Sequence, residues 1–256
     1  MAELWFIGLG LGDEKDLGRR ALDLLRGCDR IFAEEYTAIW GPGSFDRLAE
    51  EIGHPIERLT RAEVESEKPI LDALEHGRRV AFLVVGDPFG ATTHVALRLA
   101  AQRAGYATGY LPNASILTAA AGLLGLMPYR FGRTVSVPFP APGFSPTSFL
   151  DGIRANRDAD LHTLVLLDLR PEEGRFLTAG EAIAIVHARD PHGTVLSPGA
   201  GVAVVARVGT PEARAWYGPW ETLVSRDFGP PMHALVVPAP HLHFEEEAAL
   251  EQIGSG

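Results

Sequence analysis

The chain has 256 residues, of which 46% are hydrophobic and 22% charged, and it carries a formal net charge of −10 at pH 7. That acidic balance disfavours a nucleic-acid partner, because phosphates ask for a basic surface, and the single cysteine, Cys28, excludes an intrachain disulfide. No apolar run reaches the ~18 residues of a membrane span, and "MAELWFIGLGLGDE" lacks a basic leader, so no membrane anchor or signal peptide is expected and a cytoplasmic protein is the default.

Leu4 to Leu9 reads as a first strand. Leu17, Ala21, Leu24 and Leu25 recur at helical spacing and predict a helix over 16–27, with Asp16 as cap and Gly27 as stop. Arg30 to Ala33 is a second strand. "SFDRLAEEIG" is a short helix capped by Ser44 and stopped by Gly53. "PIERL" is a strand, and Val64 to His76 a single helix ending at Gly77. Val80 to Val85 is short and β-branched, the pattern of a strand buried on both faces. His94 to Ala104 is a helix stopped by Gly105. Strands alternating with helices mark a parallel α/β sheet.

The pattern changes after Tyr110. Pro112-Asn113 suggests a linker into an alanine-rich helix capped near Asn113 or Ser115, and we place a domain boundary there, with domains 1–113 and 114–256. Beyond it, "TVSVPF", "LHTLVLLDL", "GVAVVARVG" and "HALVVPAP" are strands, with helical patterns over 148–157 and 179–188. The fold class is α/β, in two α/β domains.

Two glycine-rich strand ends stand out. "FIGLGLGDEKDL" offers Gly8 and Gly10 for a dinucleotide fingerprint, and Glu34 and Glu35 end the second strand, where such a fold holds a ribose. Asp13 occupies the third glycine position, where its carboxylate would press on a pyrophosphate. The second end, "VVGDPFGATTH", also breaks abruptly, and loops at the carboxyl ends of parallel strands are where open sheets hold ligands. One such glycine is explained by a tight turn; two in one domain favour a ligand. Asp87 is a candidate to receive a cationic group or a ribose hydroxyl, the plainer alternative being an Asx-turn bond within its own loop. Thr92 and Thr93 suit either a ligand or the following helix start. His94 is a candidate base or a structural histidine, and His233 a core histidine or a ligand contact. Cys28 reads as core. His241 and His243 lie two apart, but spacing supplies no third ligand for a metal, and none is expected.

The segments "FIGLGLGD", "DRIFAEEYTA", "GDPFGATTH", "SILTAAAG", "YRFG", "VVARVGT" and "FGPPMHALVVP", in that order over nearly the whole chain, resemble the tetrapyrrole methylase superfamily and, within it, the diphthine synthase family. The glycine motifs mark only the superfamily; "FAEEYTA", "ATTH" and "FGPPMHALVVP" carry the narrower likeness. The resemblance implies an S-adenosylmethionine-dependent methyltransferase, a homodimer, with the cofactor folded between two α/β domains and S-adenosylhomocysteine as product. It implies cofactor contacts from Leu11, Asp87, Gly90, Ser115, Ile116, Leu167, Val208 and His233, and an acceptor amine on a modified histidine of translation elongation factor 2. Gly12, Gly90 and "PNASI" depart from the family pattern; Gly12 removes an aromatic group that is common there. In-line methyl transfer needs alignment and exclusion of water rather than a metal or a protein nucleophile. Tyr36, Phe89 and Phe131 are candidates to receive a methylated cation. The alternatives are a precorrin C-methyltransferase on the same fold, disfavoured by the acidic charge, and a non-catalytic S-adenosylmethionine-binding module.

Overall fold

The computed structural model describes residues 2–90, 94–143 and 145–254, and the chain forms two compact units, Met1–Ile116 and Leu117–Gly256. In the first unit, β1 (Glu3–Gly8), β2 (Arg30–Glu34), β3 (Glu57–Leu59), β4 (Arg79–Val84) and β5 (Ala107–Leu111) form one sheet in the order β3-β2-β4-β1-β5, every neighbouring pair parallel.

Alternation along the strands divides the core between the two faces of this sheet. Ile7, Ile31, Ala33, Ala81 and Leu83 pack under α1 (Arg19–Arg26) and α2 (Ser44–Ile52). Leu4, Phe6, Phe32, Val80, Phe82 and Val84 pack under α3 (Arg61–Ser66), α4 (Lys68–Glu75) and α5 (Val95–Arg103). Both faces are covered, as a wholly parallel sheet requires, and Phe6, Phe32 and Phe82 are fully buried.

Four local expectations are corrected. The helix expected over 64–76 is two helices: Glu67 takes a left-handed φ of 61°, and Pro69 stands in the first turn of α4, where its missing N–H costs nothing. Asp16 does not cap α1, whose N-cap is Gly18; its carboxylate instead accepts the Gly12 N–H at 2.8 Å. Ser44 is the first residue of α2 rather than its cap, which is Gly43. The strand β5 lies in a stretch to which the sequence pattern assigns no element.

After α6 (Ile116–Leu124), the second unit holds β6 (Val135–Val137), α7 (Ser148–Asp158), β7 (Thr163–Leu167), a two-stranded ribbon of β8 (Leu169–Arg170) and β9 (Arg175–Phe176), and α8 (Ala179–Arg189). β10 (Gly201–Ala206), β11 (Arg214–Pro219), α9 (Trp220–Leu223), β12 (His233–Val237) and α10 (Phe244–Gly254) complete it. Its main sheet runs β11-β10-β12-β7-β6 and is antiparallel except for β6 with β7. Thr178 begins α8 with a full capping box to Glu181. The fixed point of α10 is Glu246, fully buried, which accepts the Met127 N–H at 2.9 Å, the His162 Nε2–H at 3.0 Å, the His243 N–H at 3.1 Å and a guanidinium N–H of Arg130.

Candidate functional site

The order of the first sheet defines where a ligand fits. The chain leaving β1 crosses β4 to reach β2, and the chain leaving β4 crosses β1 to reach β5, so the connections of these two adjacent strands leave over opposite faces of the sheet. Connections that leave to opposite faces open a crevice at the carboxyl ends of those strands. Both glycine-rich segments end there. Gly10 and Gly86, each with φ of 77°, exchange backbone bonds of 3.3 and 2.8 Å. Gly8 is needed for close approach rather than for its dihedrals, since a Cβ would sit 2.6 Å from the Gly86 carbonyl oxygen and 2.8 Å from the Asn113 Cβ. Asn113 ties the arrangement together: its Nδ2 donates to the carbonyls of Gly8 at 3.0 Å and Asp16 at 3.2 Å, and its Oδ1 accepts the Ala114 N–H.

The backbone donors of these loops are largely spent. The N–H groups of Leu9 and Gly10 go to Val84 and Gly86 carbonyls, that of Gly12 to Asp16, that of Gly86 to Gly10, and those of Phe89 and Gly90 to Asp87. A pyrophosphate cradle needs such donors free. Glu34, the acid a dinucleotide fold would offer to ribose, is buried and turned into its own loop, accepting the N–H groups of Tyr36 and Thr37 at 3.0 Å and the Thr37 hydroxyl. Glu35 pairs with Arg58. The dinucleotide reading therefore fails on the disposition of donors and acid alike. What the strand ends do present is a carboxylate, carbonyls and small side chains, a set of acceptors that suits the cationic S-adenosylmethionine.

The structure gathers the first-unit candidates. A Cβ on Gly86 would lie 3.8 Å from Leu11 Cδ2, and one on Gly90 would lie 3.1 Å from Ser115 Oγ and 3.5 Å from Asp87 Cβ; Ile116 follows as the first residue of α6. Asp87 is half-buried. Its Oδ1 accepts the Phe89 N–H at 2.9 Å, the Asx-type bond, and its Oδ2 accepts the hydroxyl of Tyr110. A carboxylate has about four acceptor positions, so both oxygens retain a lone pair. Thr92 and Thr93 lie outside the described residues.

His94 is 2% exposed. Its Nδ1 donates to the Pro88 carbonyl at 3.1 Å, which leaves Nε2 as acceptor for the Tyr36 hydroxyl at 3.3 Å. Burial pushes its pKa down to about 4. It is a neutral ring with both nitrogens engaged, a strut between two loops rather than a free base. Of the three aromatic candidates, Tyr36 and Phe89 belong to the first unit and each already carries a guanidinium over its ring, Arg61 at 5.1 Å and Arg98 at 5.3 Å; Phe131 belongs to the second unit, tilted against His162. Cys28 is core: it is 2% exposed, its thiol donates to the Leu24 carbonyl, and burial raises its pKa to about 12.

In the second unit the register runs Ala206↔His233 on one side of β12 and Ala234↔Leu166 on the other. Leu167, His233 and Val208, which follows Arg207 at a left-handed φ of 51°, therefore share one end of that sheet. His233 uses both ring nitrogens, Nδ1 accepting the Ala179 N–H at 3.3 Å and Nε2 donating to the Pro230 carbonyl at 3.1 Å. Any ligand contact from it falls to the backbone or the ring face. His241 Nδ1 lies 3.2 Å from Asp160, and among the described residues no group of three or more potential metal ligands comes together. No helix among them is long and apolar enough to cross a membrane.

Residues 3–224 match the tetrapyrrole (corrin/porphyrin) methylases, a class of methyltransferase that uses S-adenosylmethionine. A diphthine synthase of Methanothermobacter thermautotrophicus is 41% identical over 254 residues, covering 98% of this chain and 95% of the relative, and one of Methanocorpusculum labreanum is 41% identical over 97% and 98%. A crystal structure of an Entamoeba histolytica protein superposes with a TM-score of 0.90 at 36% identity over 99% of each chain, and one of a diphthine synthase with 0.88 at 35% over 99% and 96%. The chain belongs to the tetrapyrrole methylase family, in its diphthine synthase group.

Proposed function

We propose that this protein methylates the amino nitrogen of the 3-carboxy-3-aminopropyl-histidine of translation elongation factor 2, in successive transfers from S-adenosylmethionine. The observation that carries the reading is the Gly10–Gly86 junction, where spent backbone donors and the half-buried Asp87 carboxylate meet at the carboxyl ends of β1 and β4, whose connections leave to opposite faces. Relatives named diphthine synthase over almost the full chain support the acceptor.

S-adenosylmethionine supplies a methyl group already activated on a sulfonium. Asp87 holds a cationic or hydroxyl group of the cofactor through its remaining lone pairs; Leu11 and Gly90 border the same space, and Ser115 lies against Gly90. Ile116, Leu167, Val208 and His233 complete the proposed contact set. Glycine at positions 86 and 90 lets a ligand approach the backbone closely. The acceptor amine must be neutral to attack, and an acidic chain favours its protonated form, so desolvation of the amine at the site opposes that charge. The protein works as a homodimer in the cytoplasm; the apolar segment "SILTAAAGLLGLM" and the proline-rich segment after it are the candidate interfaces, and light scattering is expected to give twice the 27.6 kDa chain mass. Neither a nucleic acid nor a membrane is among its partners.

The test is mass spectrometry of elongation factor 2 carrying the unmethylated modification, after incubation with this protein and S-adenosylmethionine. Methyl groups added at that histidine, and none on unmodified factor, are expected. Methylation of a precorrin instead would assign the chain to corrinoid chemistry, and cofactor binding without transfer to any acceptor would mark a non-catalytic module.

A further inference from the structure

A row of aromatic side chains crosses the first sheet in register. Phe32 pairs with Phe82, Phe82 with Phe6, and Phe6 with Tyr110, one residue from each of β2, β4, β1 and β5. The three phenylalanines are fully buried, and the residue on the edge strand is 38% exposed. The loop after β4 is seated on this row: the His94 ring stands edge-on to Phe82 at 5.1 Å, and Phe89 lies 5.1 Å from Phe6 and 5.0 Å from Tyr110. Packing alone would be served by a fourth phenylalanine. The added hydroxyl makes one contact, to Asp87 Oδ2.

We propose that Tyr110 is a positioning residue for the cofactor. Its ring is fixed by Phe89, and its hydroxyl holds Asp87 in one orientation. The Asp87 carboxylate is then clamped on opposite oxygens, by the Phe89 N–H on Oδ1 and by the phenol on Oδ2, so its unused lone pairs are aimed before the ligand arrives. Preorganisation of this kind lowers the ordering cost of binding. The proposal rests on the reading that Asp87 contacts the cofactor.

The experiment is a double-mutant cycle read by calorimetric titration with S-adenosylhomocysteine, using the full chain, Tyr110→Phe, Asp87→Asn and the double variant. Tyr110→Phe is expected to weaken binding by about 3- to 10-fold, the loss typical of one hydrogen bond. Its melting temperature should fall by no more than about 2–4 °C, the loss of one partly exposed hydrogen bond. In the Asp87→Asn background the same change should have no further effect. In turnover, Tyr110→Phe should raise KM for S-adenosylmethionine and leave kcat and the acceptor KM unchanged, a split that a general loosening of the fold would not give. Unchanged binding in Tyr110→Phe alongside weakened binding in Asp87→Asn would overturn the role of Tyr110 alone. Additive losses would overturn it as well, because the effect would not pass through Asp87. Unchanged binding in Asp87→Asn would overturn the role of Asp87 and the proposal with it.

Discussion

The backbones of Gly10 and Gly86 are bonded to each other in both directions, and this reciprocal pair welds the ends of two neighbouring parallel strands just where their connections part. The Cβ of Gly86→Ala would make only ordinary van der Waals contacts, the nearest at 3.7 Å, so its cost is the left-handed dihedral, about 1–2 kcal/mol. Gly8→Ala costs more, because the new Cβ would collide with the Gly86 backbone. Urea denaturation should rank Gly8→Ala as the more destabilised, and S-adenosylhomocysteine titration should rank it as the weaker binder. The reverse order would mean that dihedral strain, not close approach, governs the junction.

Asp87→Ala should weaken S-adenosylmethionine or S-adenosylhomocysteine by ~1.5–3 kcal/mol, the value of a hydrogen bond to a charged group. NAD should not bind, because the loop N–H groups that would hold its pyrophosphate are already bonded. Calorimetry with both ligands decides this; binding of NAD alone would reverse it.

His94 predicts an acid-sensitive fold. Burial lowers its pKa from 6.5 to about 4. The unfolded chain therefore binds the proton first, so the contribution is intact above pH 6.5 and is lost as pH falls towards 4, by about 3 kcal/mol. His162 and His233 are also lowered chiefly by burial and add to the same slope. Urea midpoints measured from pH 7 to 4 should fall, and His94→Gln should flatten the curve. An identical pH dependence in that variant would show that His94 is not the titrating group.

Glu246 is the buried acid whose loss should be most damaging in the second unit. Burial raises its pKa, but the N–H groups of Met127 and His243 and the His162 ring outweigh that and hold it at about 2. Glu246→Ala strands Arg130 and His162 and is expected to cost about 3–5 kcal/mol. Asp23→Ala, which breaks an exposed pair with Arg26, should stay within about 0.5 kcal/mol. Chemical denaturation of the two variants makes the comparison.

The sequence pattern located the strands that run through the core of each sheet, because Leu4 to Leu9 and Val80 to Val85 are buried on both faces and read as continuous apolar runs. It missed β5, "ATGYL", since an edge strand beside one neighbour needs no such run. It missed β11 and α10 for a related reason: each is anchored by few buried side chains, α10 by Leu250 and the single carboxylate of Glu246. Asp87 stood out because an acid follows an apolar strand after a single glycine. Tyr110 did not, because its partner is 23 residues away and only the strand register brings the two together.

The strand order carries a temporal consequence. β1 finds both of its partners late, with Glu3 opposite Arg79 of β4 and Ala107 of β5, so it has no neighbour until most of the unit has emerged from the ribosome. Contacts so distant in sequence make for slow assembly. Until β4 arrives, β1 is an apolar segment with two open edges, the kind of surface that chaperones shield and that aggregation exploits. The two strands that shape the crevice therefore join only near the end of the unit's synthesis, in one late step rather than by degrees.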